Sequence, residues 1–194
     1  MGAERRRMSR DRILQAAAQL LDTGAYGSLT VDALARSMHM SKSTLYKYFE
    51  SKKDVVVELV DNACSTTEQE LEAAWDSLEA VAPSDALEAV LGIYANHGER
   101  LPRAVILEPH RAPAKSRKRM AITRGIVADA CTRVVRRGAT DGSFKFAQPE
   151  LLATAVVASA EAAIIAGARG ELVEDRAESV RALYPLFLPG ALRV

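Results

Sequence analysis

The residues with the plainest chemistry lie close together. In KSTLYKYF, Lys42, Ser43, Tyr46 and Lys47 fall on one helical face, and Leu45 and Phe49, four apart, fall on the other. Hydroxyls and ammonium groups are thus displayed side by side. They are hydrogen-bonding groups: Ser can meet several bases, and Lys can reach guanine O6/N7 or a phosphate. The DNA major groove admits one α-helix, read from near its amino end. Lys52 and Lys53 sit at the start of the next helix, and Thr30 at the start of the preceding one. Free N–H groups and the positive dipole end suit backbone phosphates at such starts. The plainer alternative is a solvated basic face on an ordinary three-helix domain.

Charge is distributed in keeping with the first reading. The 194 residues carry a net charge of +1, but residues 1–53 hold ten Lys/Arg against five Asp/Glu. Residues 54–99 hold eleven acids and no Lys or Arg, and residues 100–137 hold eleven bases against two acids. A basic amino-terminal third on an otherwise acidic chain suggests one surface for a polyanion. Catalytic constellations are not evident. There is no phosphate-binding glycine loop, no Gly-x-Ser-x-Gly and no metal-spaced histidine pair, and His39, His97 and His110 lie in separate segments. Cys64 and Cys131 are the only cysteines, too few for a disulfide framework and without zinc spacing. No metal, cofactor or catalytic residue is expected.

The elements that must position these groups are helical. Hydrophobic residues make up 48% of the chain and aromatics only 5%, alanine is abundant, and β-type alternation is missing throughout. A first helix over 9–23, capped by Ser9, carries the stripe Ile13, Leu14, Ala17, Leu20, Leu21. Thr30 caps VDALARSM, Ser41 caps KSTLYKYF, and Ser51 with Asp54 forms a capping box for a long fourth helix reaching LEA, residues 78–80. Pro83 opens a helix that Gly98 closes; a short helix LPRAVILE follows, and a long one runs from Pro113 to Gly138. Pro149 opens an Ala-rich helix ending near Gly170, and a last helix starts near Asp175. The total is about nine. Leu151–Ala168 is near membrane-spanning length, but Glu161 and many small residues favour a helix buried against protein, so a soluble, cytoplasmic chain with no membrane partner is expected.

The stretch from Arg10 to about Val60 resembles the DNA-binding domain of the tetracycline-repressor (TetR) family, with LTVDALA, then SKSTLYKYF, then SKKD as the core of the match. His39 stands in the turn where the family usually has glycine; His is among the non-glycine residues most often found at positive φ. The resemblance implies an all-α protein with an amino-terminal three-helix helix-turn-helix domain, residues 1–53. A larger helical effector-binding and dimerisation domain, residues 54–194, would follow. Thr30 would contact phosphate; Lys42, Ser43, Thr44 and Lys47 would face the groove; Tyr46 would lie against the backbone, Lys52 would grip phosphate, and Tyr48 could contact phosphate or pack. Double-stranded operator DNA, a small-molecule effector and a second copy of the chain are the implied partners, and a repressor is the implied role.

The second domain has no motif that matches residue by residue. Its Ala-rich helix, with Val180, Leu183, Tyr184 and Phe187 of the last helix, suits a four-helix dimer interface, or alternatively an internal core. Trp75, Tyr94, His97, His110, Met120 and Arg124 are the large or polar groups on helices expected to surround a cavity, though each could simply pack or be exposed. Glu161 is a lone acid in an apolar helix and needs a partner, either a cationic ligand or an arginine from residues 100–137. The run Lys115–Arg119 could guide an anionic effector or be a solvated face. Two rival functions remain at this level: a sequence-indifferent DNA-architectural protein, and a helical enzyme.

Overall fold

A computed structural model describes residues 2–144 and 148–171, with side chains from Ser9 onward. Among them are eight α-helices and no strand: α1 Gly2–Thr23, α2 Val31–Ser37, α3 Lys42–Leu45, α4 Lys52–Ala80, α5 Pro83–Arg100, α6 Arg103–Leu107, α7 Ala114–Thr140 and α8 Pro149–Arg169. Single 3-10 turns lie at Tyr26–Ser28 and Pro109–Arg111. The expected last helix, with Val180, Leu183, Tyr184 and Phe187, lies outside the described residues.

The chain divides into two compact units, one of residues 1–63 with 101–120, the other of residues 64–100 with 121–194. This partition differs from the 1–53/54–194 division read from the sequence, because α6 returns to pack beside α1 and the start of α7, with Arg119 paired to Asp61 of α4, goes with it. α4 and α7 each contribute residues to both units.

In the first unit the stripe of α1 is buried as its spacing requires, with Ile13, Ala17 and Leu21 fully enclosed. Leu34, Leu45, Phe49, Val55, Val56 and Val60 close the core from α2, α3 and α4. Ser9 does not cap α1, which starts a full two turns earlier. Arg10 fastens the assembly. Its guanidinium pairs with Glu58, donates to the Tyr48 carbonyl at 2.5 Å and lies 4.2 Å from the Phe49 ring centroid. Another fastening joins the α6 corner to the α1–α2 connection. Asp22 accepts from the Arg103 N–H at 2.7 Å, and Glu108 accepts from the Tyr26 N–H at 2.8 Å while pairing with Arg111.

In the second unit α8 packs on α5. Gly170 ends α8 in the left-handed region at φ 73°, as expected, but Gly98 and Gly138 do not end their helices. Gly98 lies inside α5, where a Cβ would come within 2.9 Å of Ile164, so its role is close approach to α8. Gly138 lies inside α7, where a Cβ would strike the Phe144 ring. The end of α4 is held by Arg137, which donates to the carbonyls of Leu78, Glu79 and Val81 at 2.8–2.9 Å. α8 is long and apolar enough to cross a membrane by length and composition. Its inner face, including Leu152, Val156, Ala160 and Ile164, is buried, whereas Leu151, Ala155, Ala158, Ala162 and Ile165 are exposed. Both cysteines are buried here. Burial pushes the Cys131 thiol up to about 12.

Candidate nucleic-acid interface and effector region

α2 and α3 are set by side-chain caps. Thr30 Oγ1 accepts from the Ala33 N–H at 3.0 Å, and Ser41 Oγ from the Thr44 N–H at 3.1 Å. Between them the chain makes a Schellman stop: the Met40 N–H reaches the Ala35 carbonyl and the His39 N–H the Arg36 carbonyl. That motif needs a left-handed residue after the helix, and His39 supplies it at φ 53°, in the position where glycine was expected. α3 proper is only Lys42–Leu45; Tyr46–Phe49 continues as tighter turns, with the Tyr48 N–H and the Phe49 N–H both bonded to the Leu45 carbonyl. The expected eight-residue helix is therefore a four-residue helix followed by turns.

This arrangement faces Lys42, Ser43, Tyr46 and Lys47 outward; Tyr46 is 51% exposed. Lys42 pairs with Asp32 of α2, an exposed contact of little energy that leaves the ammonium accessible. The Ser43 and Thr44 hydroxyls both lie 2.8 Å from Ser41 Oγ, so the cap orients them. Thr44 and Tyr48 are half-buried and Leu45 is fully buried. Lys52 is half-buried, donates to the Leu29 carbonyl at 3.2 Å and approaches the Tyr26 ring. One of its three donors is thus committed to holding the loop ahead of α2, and Lys53 beside it is exposed. Ser51 Oγ receives the Asp54 N–H at 3.4 Å and donates to Asp54 Oδ2 at 2.8 Å, a variant of the expected capping box.

The candidate effector residues fall into three groups. Tyr94, His97, Arg124 and Glu161 meet inside the second unit. Glu161 accepts from Arg124 Nε at 2.5 Å and from the Tyr94 hydroxyl at 3.0 Å; the Tyr94 ring stacks on His97, whose Nδ1 lies 3.0 Å from Thr67 Oγ1. The partner of Glu161 is thus an arginine of the 100–137 segment. Its hydrogen bond and charge hold the Arg124 guanidinium above its usual range, and burial followed by the charge of Glu161 pushes the Tyr94 phenol well above its own. Trp75 belongs to a different place, an open groove of about 580 Å³ between α4 and α7. Arg133, which sequence reasoning passed over, lies 3.8 Å over the Trp75 ring; nothing in the spacing of the basic 100–137 run distinguishes it. His110 and Met120 lie in the first unit, apart from both groups. Of the basic run, Arg119 pairs with Asp61 and Arg117 donates to the Ala112 carbonyl.

Residues 13–59 match the model of the bacterial regulatory proteins of the tetR family. The match covers the helix-turn-helix region of the first unit, about a quarter of the chain. A curated relative, the HTH-type transcriptional regulator EthR of Mycolicibacterium smegmatis, is 32% identical over 84 residues. That stretch is 43% of this chain and 38% of the relative, so the alignment spans well under half of the curated protein. The crystal structure of the TetR-family regulator PfmR from Thermus thermophilus is similar over 94% of this chain and all of its own, with a TM-score of 0.76 and 25% identity. FadR of Bacillus subtilis in complex with stearoyl-CoA has the same fold, with a TM-score of 0.68 at 15% identity, covering 92% of this chain and 97% of its own. TetR-family proteins are transcriptional regulators, and the all-helical fold with an amino-terminal helix-turn-helix is theirs.

Proposed function

We propose that this protein is a sequence-specific DNA-binding transcriptional regulator, a cytoplasmic, non-catalytic homodimer that represses until a small-molecule effector releases it. The observation carrying this reading is the outward face of α3 and the turn after it. Lys42, Ser43, Thr44 and Lys47 would read the major groove, Tyr46 and Tyr48 would lie along the backbone, and Thr30 and Lys52 would hold phosphates. In functional terms residues 1–53 bind DNA, and residues 54–194 bind the effector and the second copy. The exposed apolar face of α8, from Leu151 to Ile165, is the natural dimer surface; residues 176–187, assigned to it from the sequence, lie outside the described residues. α4 begins beside the phosphate-holding lysines and carries Trp75 near its far end. Effector binding would shift that helix and change the separation of the two recognition helices from the roughly 34–36 Å of one DNA turn. Stearoyl-CoA in the complex of similar fold supports a small-molecule effector without naming this one.

Selection of genomic fragments with the full-length protein, followed by footprinting, tests the reading. A two-fold site that resists excess bulk DNA is expected. Equal competition by bulk DNA would mean an architectural protein instead. Light scattering should give a dimer, and Ala162→Arg, at an exposed position of the chain, should give a helical monomer.

A further inference from the structure

The groove between α4 and α7 is lined by four carboxylates against one base, Arg133. Glu68, Glu72 and Asp76 stand four apart along α4, and Asp129 faces them from α7. Like charges at that spacing repel along a helix. Thr123 donates to Glu68 at 2.7 Å, but the exposed carboxylates of Glu72, Asp76 and Asp129 have no side-chain hydrogen bond or ion pair among the described residues. Among those residues no three acidic, His or Cys groups converge closely enough to ligate a metal ion.

The aromatic wall of the groove indicates what that is. Trp75 is the only tryptophan in the chain, and Glu79 pins its ring plane by accepting the Nε1–H at 2.8 Å. The face of that ring is already used as a cation platform, with the Arg133 guanidinium 3.8 Å from its centroid and 3.1 Å from Glu79. Arg133 is an exposed side chain on a flexible stem and can swing away. Leu71 and Ile126 give the groove an apolar wall, and its volume of about 580 Å³ is that of a small-molecule site.

We propose that the Trp75 groove binds an organic cation, which takes the place of the Arg133 guanidinium on the indole face and is held there by the carboxylates of Glu72, Asp76 and Asp129. A cation of diffuse charge and apolar body satisfies all three features at once: the ring face, the spread acids and the Leu71–Ile126 wall. An anion meets four carboxylates, and a neutral ligand leaves them unanswered. The proposal rests on the effector reading for its regulatory meaning, not for binding.

The test uses the full-length protein and benzyltrimethylammonium as the probe, with Trp75 emission reporting directly from the site and calorimetry alongside. Saturable binding is expected, with benzyl alcohol and benzenesulfonate inactive at the same concentrations. Arg133→Ala should tighten the cation about fivefold by removing the internal competitor for the ring. Glu72→Gln with Asp129→Asn should weaken it about tenfold and flatten its salt dependence. Trp75→Phe, followed by calorimetry with helicity checked, should retain part of the affinity because a ring remains. Equal binding of benzyl alcohol, or an Arg133→Ala variant no tighter than the parent, would overturn the proposal. Operator release is measured in parallel. A cation that binds with these variant responses but leaves operator affinity unchanged supports the site and removes it as the effector switch. Absence of binding overturns the site, whatever other molecule releases the operator.

Discussion

Around Ser43 and Lys47 the polar side chains face outward, and the hydroxyl bonds are local, Ser41 to Ser43 and Thr44 over two and three residues. Around Tyr94 and Glu161 they face inward, and the bonds join residues 67 and 37 apart. The first region spends little stability on its polar groups, because water or DNA can satisfy them. In the second, each buried polar group depends on a partner from another helix, and losing one leaves the others unsatisfied. The contrast separates a surface that recognises from an interior that holds helices in register.

Substitutions can break the contrast at either end. The largest effect is expected at the outward face. Ser43→Ala with Lys47→Ala should cost operator affinity about 1–3 kcal/mol per lost base contact, with the thermal midpoint unchanged, as measured by gel shift and calorimetric melting. The inward region should respond in the opposite way. Glu161→Ala strands the buried Tyr94 hydroxyl, so unfolding should be easier by about 1–3 kcal/mol with the sequence preference on DNA intact. An unchanged melting midpoint would make that cluster dispensable to stability. His39→Gly should stabilise by up to about 1 kcal/mol, because it relieves a left-handed position that α8 fills with Gly170 at φ 73°. Lys52→Ala should weaken all DNA alike and reduce the salt slope by about 1; a change in sequence preference would place Lys52 in the groove instead.

The smallest effect is one of pH. Accepting the Tyr26 N–H, then pairing with Arg111, holds the Glu108 carboxyl below its usual range. A lowered folded pKa contributes stability above the ordinary glutamate value of about 4.3, lost as pH falls through the lowered value. Acid titration of wild type against Glu108→Gln should show that difference only at the acidic end. The Tyr94 phenol works the other way: its raised pKa means its contribution is complete below about 10 and declines as pH rises further.

The sequence discloses these two regions unequally for a physical reason. Helix starts at Thr30 and Ser41, the left-handed turn at His39 and the outward face of α3 are all fixed by neighbours within four or five residues, so local spacing reveals them. The need of Glu161 for a partner was legible from its apolar surroundings, and the choice of Arg124 among the many cations of residues 100–137 was not. Gly98 and Gly138 read as helix stops because glycine's local effect is to end helices. Their actual roles depend on Ile164 and Phe144, which only packing brings near. Arg133 over Trp75, 58 positions apart in sequence, has no local signature at all.

The two thiols offer a use that has nothing to do with regulation. Cys64 and Cys131 are the chain's whole complement, both are buried, and both belong to the second unit. With the Cys131 thiol pushed up to about 12, alkylation at mildly alkaline pH proceeds only when that unit opens. The wild-type chain therefore carries its own chemical clock: the rate at which a thiol reagent consumes it under native conditions counts the openings that expose these two side chains.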